Sequence, residues 1–185
     1  MLDGAARVGE MCAEAARLGL TAENGVHIRL TLTRGVKFTS GMDPRLNTQG
    51  PTLIVLAEHK PPVYGQSGLS LVTSSVRRFP PDCLDPKIHS NNLIQSILAK
   101  IEANVAGADD ALMLDHEGFV AETTGANVFL VMDGALHTPM PDRFLNGITR
   151  QTVIALAKEQ GLEVIERRIM PEELSSFNEC FIVGS

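Results

Sequence analysis

A lysine, a carboxylate and a glycine-led helix start follow one another along this 185-residue chain in an order that could do chemistry. Lys87 lies in "DCLDPKIHSNN", after Asp85-Pro86 and ahead of an apolar helical pattern. The ordinary role of a lysine at such a junction is a solvated charge. Held in a dry pocket, it loses its proton readily and can bond to a carbonyl carbon. Glu122 lies in "VAETTGANVF", where alternation puts Val120, Glu122 and Thr124 on one side of a strand. Either that side faces water, or Glu122 points inward and needs a partner such as a protonated ring nitrogen. "LNGITRQTV" opens a helix at Ile148 and Thr149, behind Asn146-Gly147. As structure alone this is a capped helix. Its free N–H groups, with the Thr149 hydroxyl, also make an anion site.

Together the three elements supply what a pyridoxal phosphate site needs. The lysine holds the aldehyde carbon. The carboxylate keeps the pyridine nitrogen protonated, so that the ring can accept carbanion electrons. The helix start takes the phosphate.

These residues must be positioned by the elements around them. Residues 4–19 read as an amphipathic helix closed by Gly19. "GVHIRLTLTRG", 25–35, alternates with period two and reads as a strand. Residues 36–51 form a long loop, and 51–59 a buried strand. A turn-rich stretch, 60–68, leads to a third strand at 69–78. "FPPDCLDP", 79–86, with three prolines, reads as a linker. It divides the chain into two parts, 1–78 and 87–185. Residues 91–107 have helical spacing and end at Gly107. Several strands follow, with an Asp133-Gly134 turn, then a helix over 146–161 stopped by Gly161. "LEVIERRIM" is a strand, "PEELSSF" a short helix with Pro171 in its first turn, and "ECFIVGS" a final strand. This mixture gives an α/β or α+β fold in two parts.

Composition narrows the function. The chain is 44% hydrophobic with a net charge of −6 and no block of like charge, which argues against a nucleic-acid partner. Cys12, Cys83 and Cys180 are far apart and odd in number, and the five histidines are scattered. Neither a disulfide framework nor a metal site is expected. A reducing compartment, the cytoplasm, is the simplest location, and an organelle is also compatible. No apolar run reaches membrane-spanning length.

The run "DPKIHSNNLIQSILAKIEANVAGADDALMLDHEGFVAETTGANVFLV", then "GALHTP", "LNGITRQTV" and "ECFIVGS", resembles the class IV (fold-type IV) pyridoxal phosphate enzymes. These include branched-chain aminotransferases, D-amino acid aminotransferases and aminodeoxychorismate lyase. The resemblance runs from about Val26 to Ser185 and is strongest after Asp85. It implies a D-amino acid aminotransferase-like two-domain fold and pyridoxal 5'-phosphate as cofactor. By resemblance Lys87 is the Schiff-base lysine, Glu122 the pyridine-nitrogen partner and Leu145 the residue packed on the ring. Gly147, Ile148 and Thr149 match the phosphate binders, and Ser185 the turn after the last strand. Arg29 and Arg34 fall where subfamilies place arginines for a substrate carboxylate, with Arg34 the better candidate.

Three departures stand out. Family members carry an upstream arginine for the phosphate and continue past the final strand, so the chain reads as a fragment lacking both ends. Many branched-chain enzymes have Tyr five residues after the lysine, where this chain has Asn92. The implied activity is transamination between an amino acid and a 2-oxo acid, branched-chain-like first. An aminodeoxychorismate-type lyase and a truncated, non-catalytic relative are the alternatives. The 36–51 loop resembles the family's dimer-contacting loops, which implies a homodimer.

Overall fold

The computed structural model describes residues 25–61, 63–64 and 68–184, with Ala13 and Arg17. The helix expected over 4–19 falls outside the described residues, except at Ala13 and Arg17, which are helical. Cys12 and Ser185 also lie outside them. The chain divides into two compact units, Met1–Gly65 and Gln66–Ser185.

In the first unit, β1 (Val26–Thr33) pairs antiparallel with β2 (Thr52–His59), in register from Val26↔His59 to Thr33↔Thr52. The long loop between them is folded on itself. Phe38 N–H donates to Leu46 O at 2.8 Å, and Asn47 Nδ2 donates to Gly35 O at 2.9 Å. A 3-10 turn, Pro44–Leu46, is capped by the Asp43 side chain. Gly35 is required at the loop's start. Its φ is +86°, and a Cβ there would fall 1.7 Å from Gly50 O.

The second unit holds two sheets. In the first, β3 (Leu71–Arg77) lies parallel to β4 (Asp110–Leu114), and β4 antiparallel to β5 (Val120–Thr123). A parallel pair needs a crossover, and α1 (Ile94–Ala106) supplies it. The second sheet has the order β8-β7-β6-β9, from β6 (Asn127–Met132), β7 (Ala135–Pro139), β8 (Val164–Arg167) and β9 (Glu179–Val183). β7 and β8 are parallel, and α2 (Ile148–Glu159) is their crossover. Asp133 and Gly134 join β6 to β7 with φ of 52° and 78°, the conformation a tight hairpin asks for.

The units part between Gly65 and Gln66, whereas the prolines of 79–86 suggested a boundary there. The physical reason is the β3–β4 ladder. That pairing is non-local and has no compositional signature, yet it binds β3 to the second unit. The proline stretch makes turns between β3 and α1, with the Cys83 and Leu84 amides both donating to Pro80 O.

Small side chains let α1 approach its sheet: Ala99 and Ala103 pack with Ala111 and Met113. Glu102 fixes the helix to β3 by accepting from Ser74 Oγ (2.6 Å) and the Ser75 amide (2.8 Å). Leu112, Leu114, Val120, Val128, Leu130 and Ile169 form a core shared by the two sheets. Phe129, Leu136, Ile154 and Ala157 seat α2 on the second.

Candidate active site

Every residue of β5 is buried, and Glu122 sits in its middle at 7% exposure. The inward reading of Glu122 holds. Its carboxylate faces Arg78, which follows β3 directly, with Arg78 Nη2 2.9 Å from Glu122 Oε1. Arg78 is itself 6% exposed and is held by Ser96 Oγ (3.0 Å) and Thr123 O (2.9 Å). Burial pushes the Glu122 carboxyl up to about 7, against the pull of Arg78 and the Leu145 amide.

Asn127, at the start of β6, makes two connections. Its Nδ2 donates to Glu122 Oε2 at 3.1 Å and to Leu145 O at 3.0 Å. Its Oδ1 faces Gly147, where an added Cβ would come within 2.5 Å of that oxygen. Gly147 has φ −59° and ψ 147°, which any L residue can adopt. Glycine is needed there for space, not for backbone freedom. Gly147 is the N-cap of α2 and offers no side-chain cap. The amides of the first turn thus have no intrahelical partner. Thr149 lies in that turn, and Ile148 at its head is exposed.

The helix start is anchored from below by Arg150, 1% exposed. Its guanidinium donates to Asn146 Oδ1 (2.9 Å), Pro139 O (2.9 Å), Glu166 Oε2 (2.8 Å) and Thr138 Oγ1 (3.4 Å). One planar fork so ties α2 to β7 and β8.

Lys87 sits in a turn built by Asp85. Its amide donates to Asp85 Oδ1 (3.0 Å), and Nζ lies 3.7 Å from Asp85 Oδ2. The side chain is half-exposed. Pro86 and Ile88, on either side of Lys87, line an open cleft together with Arg78, Gln95, Glu122 and Leu145. The structure thus brings Glu122, Leu145 and the Lys87 turn to one cleft. Asn92, at the position where many branched-chain enzymes have Tyr, lines it too. Two buried polar atoms of its wall, Arg78 Nε and Gln95 Oε1, have no hydrogen-bond partner among the described residues. Such a wall suits a ligand carrying both donors and acceptors. Arg29, on β1, and Arg34, just after it, belong to the first unit, and Arg34 Nη2 donates to Pro44 O at 3.4 Å. Ser185 lies outside the described residues.

Arg78, Asn127 and Arg150 had no assigned role in the sequence reading. Arg78 lies in a short basic pair, Arg77-Arg78, and is one half of an ion pair buried at both ends. Asn127 and Arg150 follow strand and helix patterns that give no cue to their partners.

The family model for amino-transferase class IV matches residues 7–185. The chain belongs to that family. Class IV aminotransferase relatives include branched-chain-amino-acid aminotransferase-like protein 1 of Arabidopsis thaliana, 51% identical over 163 residues, covering 88% of this chain and 29% of that protein. The branched-chain amino acid aminotransferase of Thermobaculum terrenum, solved in its PLP-bound holo-form, superposes with a TM-score of 0.75 at 34% identity, over 86% of this chain and 52% of that one. The Escherichia coli branched-chain amino acid aminotransferase superposes with a TM-score of 0.89 at 28% identity, over 100% of this chain and 61% of that one. The mixed helix-and-sheet architecture is thus that of class IV aminotransferases. The chain spans 29% to 61% of the length of these three proteins.

Proposed function

We propose that this chain carries the cofactor site of a pyridoxal-phosphate-dependent aminotransferase acting on branched-chain-like amino acids and 2-oxo acids. The observation that carries the reading is Glu122, a buried carboxylate lining the cleft beside the Lys87 turn. Relatives named for branched-chain transamination support the substrate class, and the PLP-form of the Thermobaculum terrenum enzyme supports the cofactor.

Bound pyridoxal phosphate supplies an electron sink for the carbanion at a substrate's α-carbon. The residues of this chain do the rest. Lys87 Nζ is the group that would hold the cofactor's aldehyde carbon. As a free amine it would move the proton to and from the substrate Cα. To do so it must leave Asp85, an exposed pairing that costs little to break. Glu122 would hold a proton at the pyridine nitrogen, and Arg78 beside it favours the ionised carboxylate that does so. Leu145, which lines the cleft, would pack on the ring. The open amides at Gly147, Ile148 and Thr149, with the Thr149 hydroxyl, take the phosphate. Arg34, ahead of Arg29, receives the substrate carboxylate, and the 36–51 loop serves a homodimer contact.

The test is product analysis of purified protein with added cofactor. Incubation with leucine and 2-oxoglutarate should yield the branched-chain 2-oxo acid and glutamate in equal amounts. Pyruvate released from aminodeoxychorismate without an amino acceptor would replace this reading with the lyase. Absence of both reactions in protein that binds the cofactor would make the chain a non-catalytic relative.

A further inference from the structure

We propose that Asn127 is a positioning residue that sets the span between the two anchors of the cofactor, the ring-nitrogen carboxylate and the phosphate-binding helix start. The proposal rests on the reading of the site given above.

A pyridine ring is rigid, so its nitrogen and its phosphate arm must be met by protein groups at a fixed separation. Glu122 stands on β5, while the helix start that would take the phosphate opens α2 beyond β7. Nothing in the backbone ladder joins these two elements directly, since β5 pairs with β4 and belongs to the other sheet. The Leu145 amide bonds the Glu122 carboxylate, and Asn127 adds a second link through one side chain that also reaches Gly147. Its Nδ2 holds Glu122 Oε2 at 3.1 Å and Leu145 O at 3.0 Å, so both amide hydrogens are committed, one to the carboxylate and one to a carbonyl two residues before Gly147. Its Oδ1 is packed against Gly147 so closely that a single Cβ would not fit. Asn127 is 6% exposed, so water cannot easily replace either hydrogen bond.

The residue types at both ends fit this role. Aspartate at 127 would present a second carboxylate to Glu122 and no donor to Leu145 O. A serine is too short to span the two acceptors. Leucine has the right bulk and no donor. A carboxamide is the group that reaches both with two N–H bonds from one nitrogen. Misplacing reacting groups by about 1 Å can cost roughly a hundredfold. A bridge that fixes such a separation therefore acts on cofactor recognition beyond its contribution to folding.

The experiment compares the affinities of pyridoxal phosphate and pyridoxal, which lacks the phosphate, for the purified protein and for Asn127→Leu. Both ligands meet Lys87 and Glu122, and only the first uses the helix start. The dissociation constant of pyridoxal divided by that of pyridoxal phosphate measures what the phosphate site contributes. This ratio is insensitive to a loss of stability, which weakens both ligands by the same factor. The proposal expects Asn127→Leu to lower it at least tenfold, as Thr149→Ala should, with the Lys87 linkage still trapped by borohydride. If Asn127→Leu does not fold, Asn127→Ser gives the same readout. An unchanged ratio in a variant whose parent binds both ligands at Lys87 overturns the proposal and leaves the functional reading standing. Failure of the parent to bind pyridoxal phosphate at all overturns both.

Discussion

Arg78 Nη2 lies 2.9 Å from Glu122 Oε1, and the two side chains are among the few charged groups buried in the second unit. A charge in that position cannot be left alone. Removing one member of a buried pair costs about 3–5 kcal/mol, because the other stays behind uncompensated. Arg78→Met should destabilise the protein by that amount in urea unfolding. Adding Glu122→Gln to Arg78→Met should recover part of the loss, a coupling of about 0.5–3 kcal/mol in a double-mutant cycle. Strict additivity would mean that the two charges do not sense each other.

Glu122 should also leave a signature in the pH dependence of stability. Burial raises its carboxyl from 4.5 to about 7. Between those values the unfolded chain has released the proton and the folded chain has kept it, so rising pH favours unfolding. Without cofactor, the Tm of the parent relative to Glu122→Gln should fall as pH rises from 4.5 to 7, and level off above. A difference that stays constant across this window would place the Glu122 carboxyl at its ordinary value.

Gly147→Ala tests the packing of the helix start. The new methyl would come within 2.5 Å of Asn127 Oδ1, and Asn127 can retreat only by loosening Glu122 or Leu145. The expected cost is about 1–3 kcal/mol, the range for overpacking a tight site. In an Asn127→Ala background the same substitution should cost much less. Equal costs in both backgrounds, measured by thermal melts, would show that some other neighbour resists the methyl.

Arg150→Met should cost about 3–5 kcal/mol, since it strands buried acceptors at Thr138 and Pro139. Arg150→Lys should recover less than half, because an ammonium cannot reproduce the planar fork that reaches Asn146 and Glu166 together. Urea midpoints measure both. Full recovery by lysine would mean that charge alone matters at this position.

Turns and helix ends were legible in the sequence, whereas 51–59, expected as a buried strand, forms β2 with Ile54 and Leu56 exposed. Gly107 ends α1 in the left-handed conformation, Asp133-Gly134 makes the β6–β7 hairpin, and Ile148 opens α2. These depend on turn chemistry and periodicity, which are written residue by residue. The motif order also carried the family, and it marked Glu122 and Leu145, which line one cleft with the residues flanking Lys87. What stayed hidden was non-local. The unit boundary depends on β3 pairing with β4, which are separated by the whole of α1. The partner of Glu122 is 44 residues upstream by number, and nothing in "VRRFPP" says that Arg78 turns inward while Arg77 binds Ser74 O. Asn127 reads as the first polar residue of a buried strand. Its bridging role appears only when β5, β6 and α2 are brought together.

Lys87, with Glu122 and the α2 start, is proposed to hold pyridoxal phosphate. This is tested most directly by a visible-absorption titration of the purified protein with the cofactor, followed by borohydride reduction and peptide mapping. A saturable absorbance band that reduction abolishes is expected, with the label on the peptide spanning residues 79–100 and lost in Lys87→Ala. Label fixed on any other lysine, or saturable binding that Lys87→Ala leaves unchanged, would contradict it.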